Sequence, residues 1–115
     1  MQKYFNKKIF YNNIKFDSKK ELCFYLELLE LEKQGVIKDI ELQPQFELLP
    51  SFKHNGKTIR GCKYTADFKY FDLEKQETVI VEIKSKYTAG LKDYILRKKM
   101  FLFFNKDVNF IEIME

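Results

Sequence analysis

The sequence has 115 residues, so we expect a single domain over residues 1–115 with one modest core. Its hydrophobic fraction of 45%, aromatic fraction of 17% and net charge of +4 exclude a disordered chain and permit nucleic-acid binding without requiring it. Two isolated cysteines and one histidine argue against a thiolate zinc site, and the lack of long apolar segments predicts a soluble cytoplasmic protein.

Turn residues and apolar periodicity divide the chain into seven predicted elements. In order, they are a hairpin of residues 8–11 and 14–16, a helix from residue 17 or 18 to about 34, strands 41–49, 58–71 and 78–85, a helix over about 91–104, and a strand 108–113. Asn12 and Asn13 suit the hairpin turn, and Gly35 is the expected end of the first helix. Pro44 indicates an edge or a bulge, and Gly61 a further break.

This order predicts an α+β (α/β) fold with a mixed sheet of about four strands flanked by two helices. Two further expectations concern which side chains are buried together. In the second strand, one face is expected to carry Tyr64, Ala66, Phe68 and Tyr70. The buried side of the second helix is expected to consist of Leu91, Ile95, Leu96, Met100 and Phe103. Residues 50–57 and 86–90 are predicted as connections.

The second and third strands place acids at one point of the predicted sheet. If Asp72 and Glu77 close a four-residue loop, the register puts Asp67 directly opposite Glu82. Opposed like charges destabilise a sheet, and a divalent cation with oxygen ligands removes the repulsion. Lys84 lies two residues beyond Glu82 and therefore on the same face. This set predicts a metal site for phosphodiester hydrolysis, in which Lys84 orients water or stabilises negative charge.

Each feature also has a simpler interpretation. The acids and Lys84 could line the solvent face of an ordinary hairpin, although Ile80 on the same face indicates a covering helix. Glu21 follows Ser18 at the spacing of a capping box, so it could cap its helix or serve catalysis. The basic excess of residues 84–99 suits a polyanionic substrate and equally a solvated helix face.

Five segments, taken in order, resemble a known family. They are FDSKKE (residues 16–21), LQPQFEL (42–48), YTADF (64–68), VEIK (81–84) and LRKKMF (96–101). Their order and spacing resemble a phage and prophage family of small uncharacterised proteins, which is similar to the PD-(D/E)XK superfamily of restriction endonucleases and Holliday-junction resolvases. The resemblance covers about residues 8–113 and implies a restriction-endonuclease-like core.

The resemblance implies a magnesium-dependent (or manganese-dependent) DNA endonuclease. Asp67 matches the Asp of the PD element, and Glu82 and Lys84 match the acid and the lysine of (D/E)XK. Glu21 matches the helical glutamate that often completes the metal site. Ala66 stands where the superfamily often has proline, a position that mainly shapes the backbone. The expected metal ligands are Glu21, Asp67, Glu82 and the Ile83 carbonyl, and the expected contacts to DNA are Gln45, Lys86, Lys92, Lys98 and Lys99.

The function expected from this resemblance is DNA recombination, repair or processing in a phage-infected bacterium, with branched DNA among the substrates. An enzyme that cuts two strands needs two active sites, so a homodimer is also expected. One alternative is a catalytically silent module of the same fold that binds DNA or a host or phage protein. Another is a small subunit or regulator that acts with phage replication or recombination proteins.

Overall fold

The computed structural model describes residues 8–115 of the chain. Within that range the helices are Lys19–Lys33 (α1), Lys86–Ala89 (α2) and Lys92–Phe104 (α3). The strands are Ile9–Tyr11 (β1), Ile14–Phe16 (β2), Ile37–Leu42 (β3), Gln45–Leu49 (β4), Phe52–His54 (β5), Lys57–Ile59 (β6), Cys62–Thr65 (β7), Phe68–Asp72 (β8), Glu77–Lys84 (β9) and Asn109–Met114 (β10). None of the described helices is long and apolar enough to cross a membrane.

The largest sheet has four strands in the order β10-β9-β8-β3. β9 pairs in parallel with β10 and antiparallel with β8, and β3 also pairs antiparallel with β8. The sheet is therefore mixed, and the predicted α+β class is confirmed. Three two-stranded pairs, β1–β2, β4–β7 and β5–β6, account for the other strands of the described chain.

Helices cover both faces of this sheet. Successive residues of β9 point to opposite faces, and each set is buried against a different helix. Val81 is buried on the face where α1 contributes Leu28 to the core. Ile80 is buried on the other face, together with Phe101 of α3. Glu82 shares the face of Ile80, so α3 is the covering helix that the sequence predicts over the acids.

The predicted N-terminal hairpin and the beginning of the first helix are confirmed. Asn12 and Asn13 have φ values of 50° and 65°, the left-handed conformation that suits a tight turn. Ser18 caps α1, and its Oγ accepts a hydrogen bond of 3.1 Å from the Glu21 N–H. Gly35, with φ of 78°, follows the end of α1 as expected.

Two predicted strands are not continuous, because the backbone turns at two facing points. The strand predicted over residues 41–49 divides into β3 and β4 at Gln43, whose φ is 49°, and at Pro44, which has no N–H to pair. The next predicted strand divides into β6, β7 and β8. The Gln43 N–H donates to the Asp67 carbonyl at 2.9 Å, and the Ala66 N–H donates to the Pro44 carbonyl at 3.1 Å. The two bends are therefore bonded to each other.

The bend between β7 and β8 corrects the predicted faces. Tyr64 and Ala66 pack in the core under α3, whereas Phe68 and Tyr70 pack on the side of α1. The prediction that these four residues share one face is wrong, because the alternation of side chains restarts after the bend. Tyr64 therefore lies on the same side of the sheet as Glu82.

The buried side of α3 also differs from the prediction. Tyr94 and Phe101 are buried, whereas Leu96 and Phe103 of the predicted stripe are 55% and 63% exposed. Of that stripe, Leu91 and Ile95 are exposed and Met100 is half-buried. Apolar residues occur all round this helix, so its sequence is compatible with more than one buried stripe. The predicted connections contain further structure, the β5–β6 hairpin and the short helix α2.

Candidate functional site

The register between β8 and β9 is the one that the sequence predicts. Phe68 pairs with Val81, and the pair that closes the loop is Asp72 with Glu77. One step beyond the end of β8, the Asp67 N–H donates at 3.0 Å to the carbonyl of Val81, the residue that already pairs with Phe68, so the regular register ends at Phe68. The side chains of Asp67 and Glu82 still come together at this end of the hairpin.

Glu82 is a buried acid whose two oxygens face different donors. Only 2% of the residue is exposed. The hydroxyl of Tyr64 donates to Oε1, and the Nζ of Lys84 lies 3.6 Å from Oε2. Burial raises the pKa of Glu82 from 4.5 to about 7, with the negative charge of Asp67 adding to it and the hydrogen bond from Tyr64 opposing it. Glu82 is therefore poised to hold or release a proton near neutral pH.

Asp67 is fixed by the backbone of β9. Its Oδ2 accepts a hydrogen bond of 2.6 Å from the Ile83 N–H. Burial raises the pKa of Asp67, while this hydrogen bond and the charge of Lys84 oppose the rise. A hydrogen bond between Asp67 and Glu82 lowers the pKa of the former and raises that of the latter, as expected of two acids that share one proton.

Glu21 approaches the pair from α1, across a cavity of about 250 Å³. Its carboxyl lines this cavity together with Asp67, and the walls come from the β1–β2 hairpin, β3 and β8. Burial, and then the charge of Asp67, raise the pKa of Glu21 to about 7. The Glu21 N–H donates to Ser18, and a hydrogen bond from the Asp17 backbone to the Glu21 carboxyl opposes the rise in its pKa. Glu21 can therefore serve both of the roles that its sequence position leaves open.

The donor chemistry of the site fits a hard divalent cation. Three carboxyl groups supply oxygen ligands, the type that Mg²⁺ and Mn²⁺ prefer. The Ile83 carbonyl points to the same edge of β9 as its N–H, and thus towards Asp67. Within residues 8–115, however, no three acidic, cysteine or histidine side chains stand close enough together to hold an ion. Binding by all three acids requires that Glu21 move towards the pair and that the shared proton leave.

The basic residues near the site fall into two groups. Lys84 and Lys98 are half-buried, and Lys98 is paired with Glu112 at 3.1 Å. The exposed group consists of Lys86, Lys92 and Lys99. Among the lysines predicted to contact DNA, only Lys98 has an ion-pair partner within the described chain.

Of the two glutamines in the LQPQFEL segment, it is Gln43 that lines the cavity with Glu21 and Asp67. Gln45, the residue selected from the sequence, is exposed and lines a separate surface hollow with Phe104. The alternation of a strand cannot distinguish them, because residues two apart share a face. The left-handed turn at Gln43 separates them. Sequence reasoning also missed the tyrosines beside the acids, Tyr64 and Tyr94, and Glu112.

The fold and the site define an α+β domain whose mixed sheet carries a buried acid, Glu82, and a half-buried acid, Asp67, beside a lysine. The chain belongs to the DUF1064 family of proteins of unknown function, whose family model matches residues 1–114. The expectation that the chain belongs to an uncharacterised family is therefore confirmed. No curated protein and no solved structure matches the chain.

Proposed function

We propose that this protein is a divalent-metal-dependent DNA endonuclease, related in fold to the PD-(D/E)XK nucleases and encoded by a phage or prophage. The observation that supports the proposal is the pair formed by half-buried Asp67 and buried Glu82, with the Nζ of Lys84 3.6 Å from Oε2 of Glu82. Two acids in a largely water-excluded position repel each other unless they share a proton or bind a cation. A lysine beside them supplies a positive charge for an anionic substrate.

In this proposal the acids bind Mg²⁺ or Mn²⁺, with Glu21 and the Ile83 carbonyl completing the ligand set. When bound, the metal lowers the pKa of water and neutralises charge on the phosphate. Asp67 is held at the site by the Ile83 N–H, so its position does not depend on the metal. Lys84 orients the attacking water or stabilises the negative charge that develops on the phosphate.

In this proposal, exposed lysines of α2 and α3 attract the substrate electrostatically. Lys86, Lys92 and Lys99 are exposed and, in the described chain, free of ion pairs, so they suit contacts to the phosphate backbone. Lys98 is engaged by Glu112 and is better suited to a structural role. If phosphate contacts dominate binding, the affinity for DNA falls steeply as salt is raised.

The test of this proposal is cleavage of labelled branched, duplex and single-stranded DNA, with RNA alongside, in Mg²⁺ or Mn²⁺. We expect Asp67→Asn and Lys84→Met each to lower the cleavage rate by about 100-fold or more. Glu74→Gln is the matched control, because Glu74 is exposed in the loop of the same hairpin. If the parent cuts none of these substrates, or if Asp67→Asn cuts as fast as the parent, the proposal is wrong.

A second candidate is a silent module of the same fold that binds DNA, or a host or phage protein, without cutting. The observation that favours it is the lack of a ready three-acid cluster within residues 8–115. It predicts that calorimetry detects no binding of Mn²⁺ and that Asp67→Asn binds DNA as tightly as the parent. For an endonuclease, Mn²⁺ binding is expected in the parent and is lost in Asp67→Asn.

Two expectations concern the partners of the enzyme. An endonuclease that cuts both strands of a duplex requires two active sites, so we propose a homodimer, which sedimentation velocity measures directly. Action in recombination or repair predicts that phage replication or recombination proteins co-purify with the tagged chain.

A further inference from the structure

Tyr94 of α3 lies between two positively charged side chains. Its residue surface is only 7% exposed, and its ring centroid is 4.8 Å from the Nζ of Lys84 and 5.4 Å from the Nζ of Lys98. Both distances are within the range in which the negative face of an aromatic ring attracts a cation. Tyr94 is therefore in direct contact with the lysine of the candidate site.

Three elements meet at this tyrosine. Lys84 is the last residue of β9, and Glu112 lies on β10 in parallel register with Glu82. Tyr94 and Lys98 are one turn apart on α3 and thus on the same face of the helix. The ring is consequently placed by the packing of α3 on the sheet, and not by a mobile loop.

Glu112 connects these groups. The hydroxyl of Tyr94 donates to Oε2 of Glu112, and the Nζ of Lys98 lies 3.1 Å from the same oxygen. Burial alone would raise the pKa of Glu112, but the hydrogen bonds from Tyr94 and Lys98 lower it. The hydroxyl of Tyr94 and the Nζ of Lys98 therefore share one acceptor oxygen on Glu112.

We infer that Tyr94 is a positioning residue whose ring, placed by the packing of α3 on the sheet, holds the ammonium of Lys84 beside Glu82. A lysine side chain is long and flexible, so its charge stays in one place only when neighbours restrict it. Without the ring, the half-buried Lys84 is free to turn away from Glu82 and towards solvent. The effect on cleavage rests on the proposed nuclease function, whereas the placement of Lys84 does not.

The placement is tested by the NMR signal of the Lys84 CεH₂ protons, assigned by comparison with Lys84→Met. A nearby ring face shifts these protons upfield of ordinary lysine positions. We expect the shift to persist in Tyr94→Phe, which keeps the ring, and to vanish in Tyr94→Leu. Tyr87→Leu, at a tyrosine that is 79% exposed on α2, is the matched control and should leave the signal unchanged. An unshifted Lys84 signal in the parent, or one that Tyr94→Leu does not move, overturns the inference.

The consequence for catalysis is tested by steady-state kinetics of the same variants. Tyr94→Leu is expected to lower kcat by about tenfold with KM unchanged, and Tyr94→Phe to stay within about twofold of the parent. A loss that Tyr94→Phe shares in full, or a change in KM alone, contradicts the inference. If Tyr94→Leu is unfolded by circular dichroism, Tyr94→Met replaces it, because methionine fills a similar volume without a ring. If the parent does not cleave DNA, the nuclease proposal fails, and the NMR result still decides the role of Tyr94.

Discussion

A carboxyl group as buried as Glu82 is stable only when its oxygens have partners. One partner is the hydroxyl of Tyr64, a residue that the sequence pattern assigns to the opposite face of the sheet. Because this hydrogen bond lowers the pKa of Glu82, it stabilises the ionised form, which is also the form that binds a cation. Tyr64 therefore favours the ionised form of Glu82 that the proposed metal site requires.

Loss of this hydrogen bond in Tyr64→Phe is expected to destabilise the metal-free protein more at pH 8 than at pH 5. Above pH 7 Glu82 is mostly ionised and loses a charged hydrogen bond, a cost of about 1–3 kcal/mol. At pH 5 the carboxyl is protonated, so the lost bond is weaker. Urea unfolding at the two pH values measures the difference. Tyr70→Phe, in the core on the other side of the sheet, is the matched control. Equal losses at both pH values would contradict this role of Tyr64.

The bends between β3 and β4 and between β7 and β8 determine where the strands place the site residues. A Cβ at Gly61 would lie 2.1 Å from the Leu49 carbonyl oxygen, so the backbone of β7 approaches the end of β4 too closely for any other residue. This close approach fixes the β4–β7 pair, which carries Tyr64 to Glu82. At the facing bend, the bonds of Gln43 and Pro44 with the backbone of residues 66–67 set the position of Asp67.

Gly61→Ala is therefore expected to destabilise the protein by about 1–3 kcal/mol or more, because the clash is with backbone atoms that cannot rotate away. Gly90→Ala is the control, since a Cβ there meets its nearest neighbour, the Tyr87 carbonyl oxygen, at an ordinary 3.6 Å. Gly90→Ala should be neutral or stabilise the protein by up to about 1 kcal/mol. Denaturant unfolding of both variants checks the prediction, and a similar midpoint for the two would refute it.

Considered over the whole molecule, the parts of the site that could be predicted are those that depend on neighbouring residues. The register of β8 against β9, which brings Asp67 near Glu82, follows from a short loop and the two-residue period of strands, both of which are local. The positions of Tyr64 and Tyr94 depend on contacts between distant segments. The position of Tyr64 depends on the bend between β7 and β8, which is hydrogen-bonded to the bend between β3 and β4. The position of Tyr94 depends on which of several apolar stripes of α3 is buried.

The raised pKa values of the site acids make the stability of the whole molecule depend on pH. The pKa values of Glu21 and Glu82 rise from 4.5 to about 7 on folding, so the native state holds protons that the unfolded chain releases. This contribution to stability is complete below about pH 4.5 and is lost as the pH rises through about 7. The metal-free protein should therefore lose on the order of 2–3 kcal/mol between pH 5 and pH 8 from each of these groups.

Thermal unfolding against pH, with and without Mg²⁺, measures this dependence. Added Mg²⁺ is expected to raise Tm at pH 8, where the acids are ionised, and to have little effect at pH 5, where protons occupy them. Glu82→Gln should make the metal-free profile shallower, since Glu21 still titrates near pH 7, and should remove the response to Mg²⁺, because a neutral amide does not replace a carboxylate ligand. Glu74→Gln, in the exposed loop, should behave as the parent. A metal-free Tm that rises from pH 5 to pH 8 in the parent but not in Glu82→Gln would mean that the acids are ionised and paired within the fold. The raised pKa values of Glu21 and Glu82 would then be wrong, and with them the case for a cation at Asp67 and Glu82.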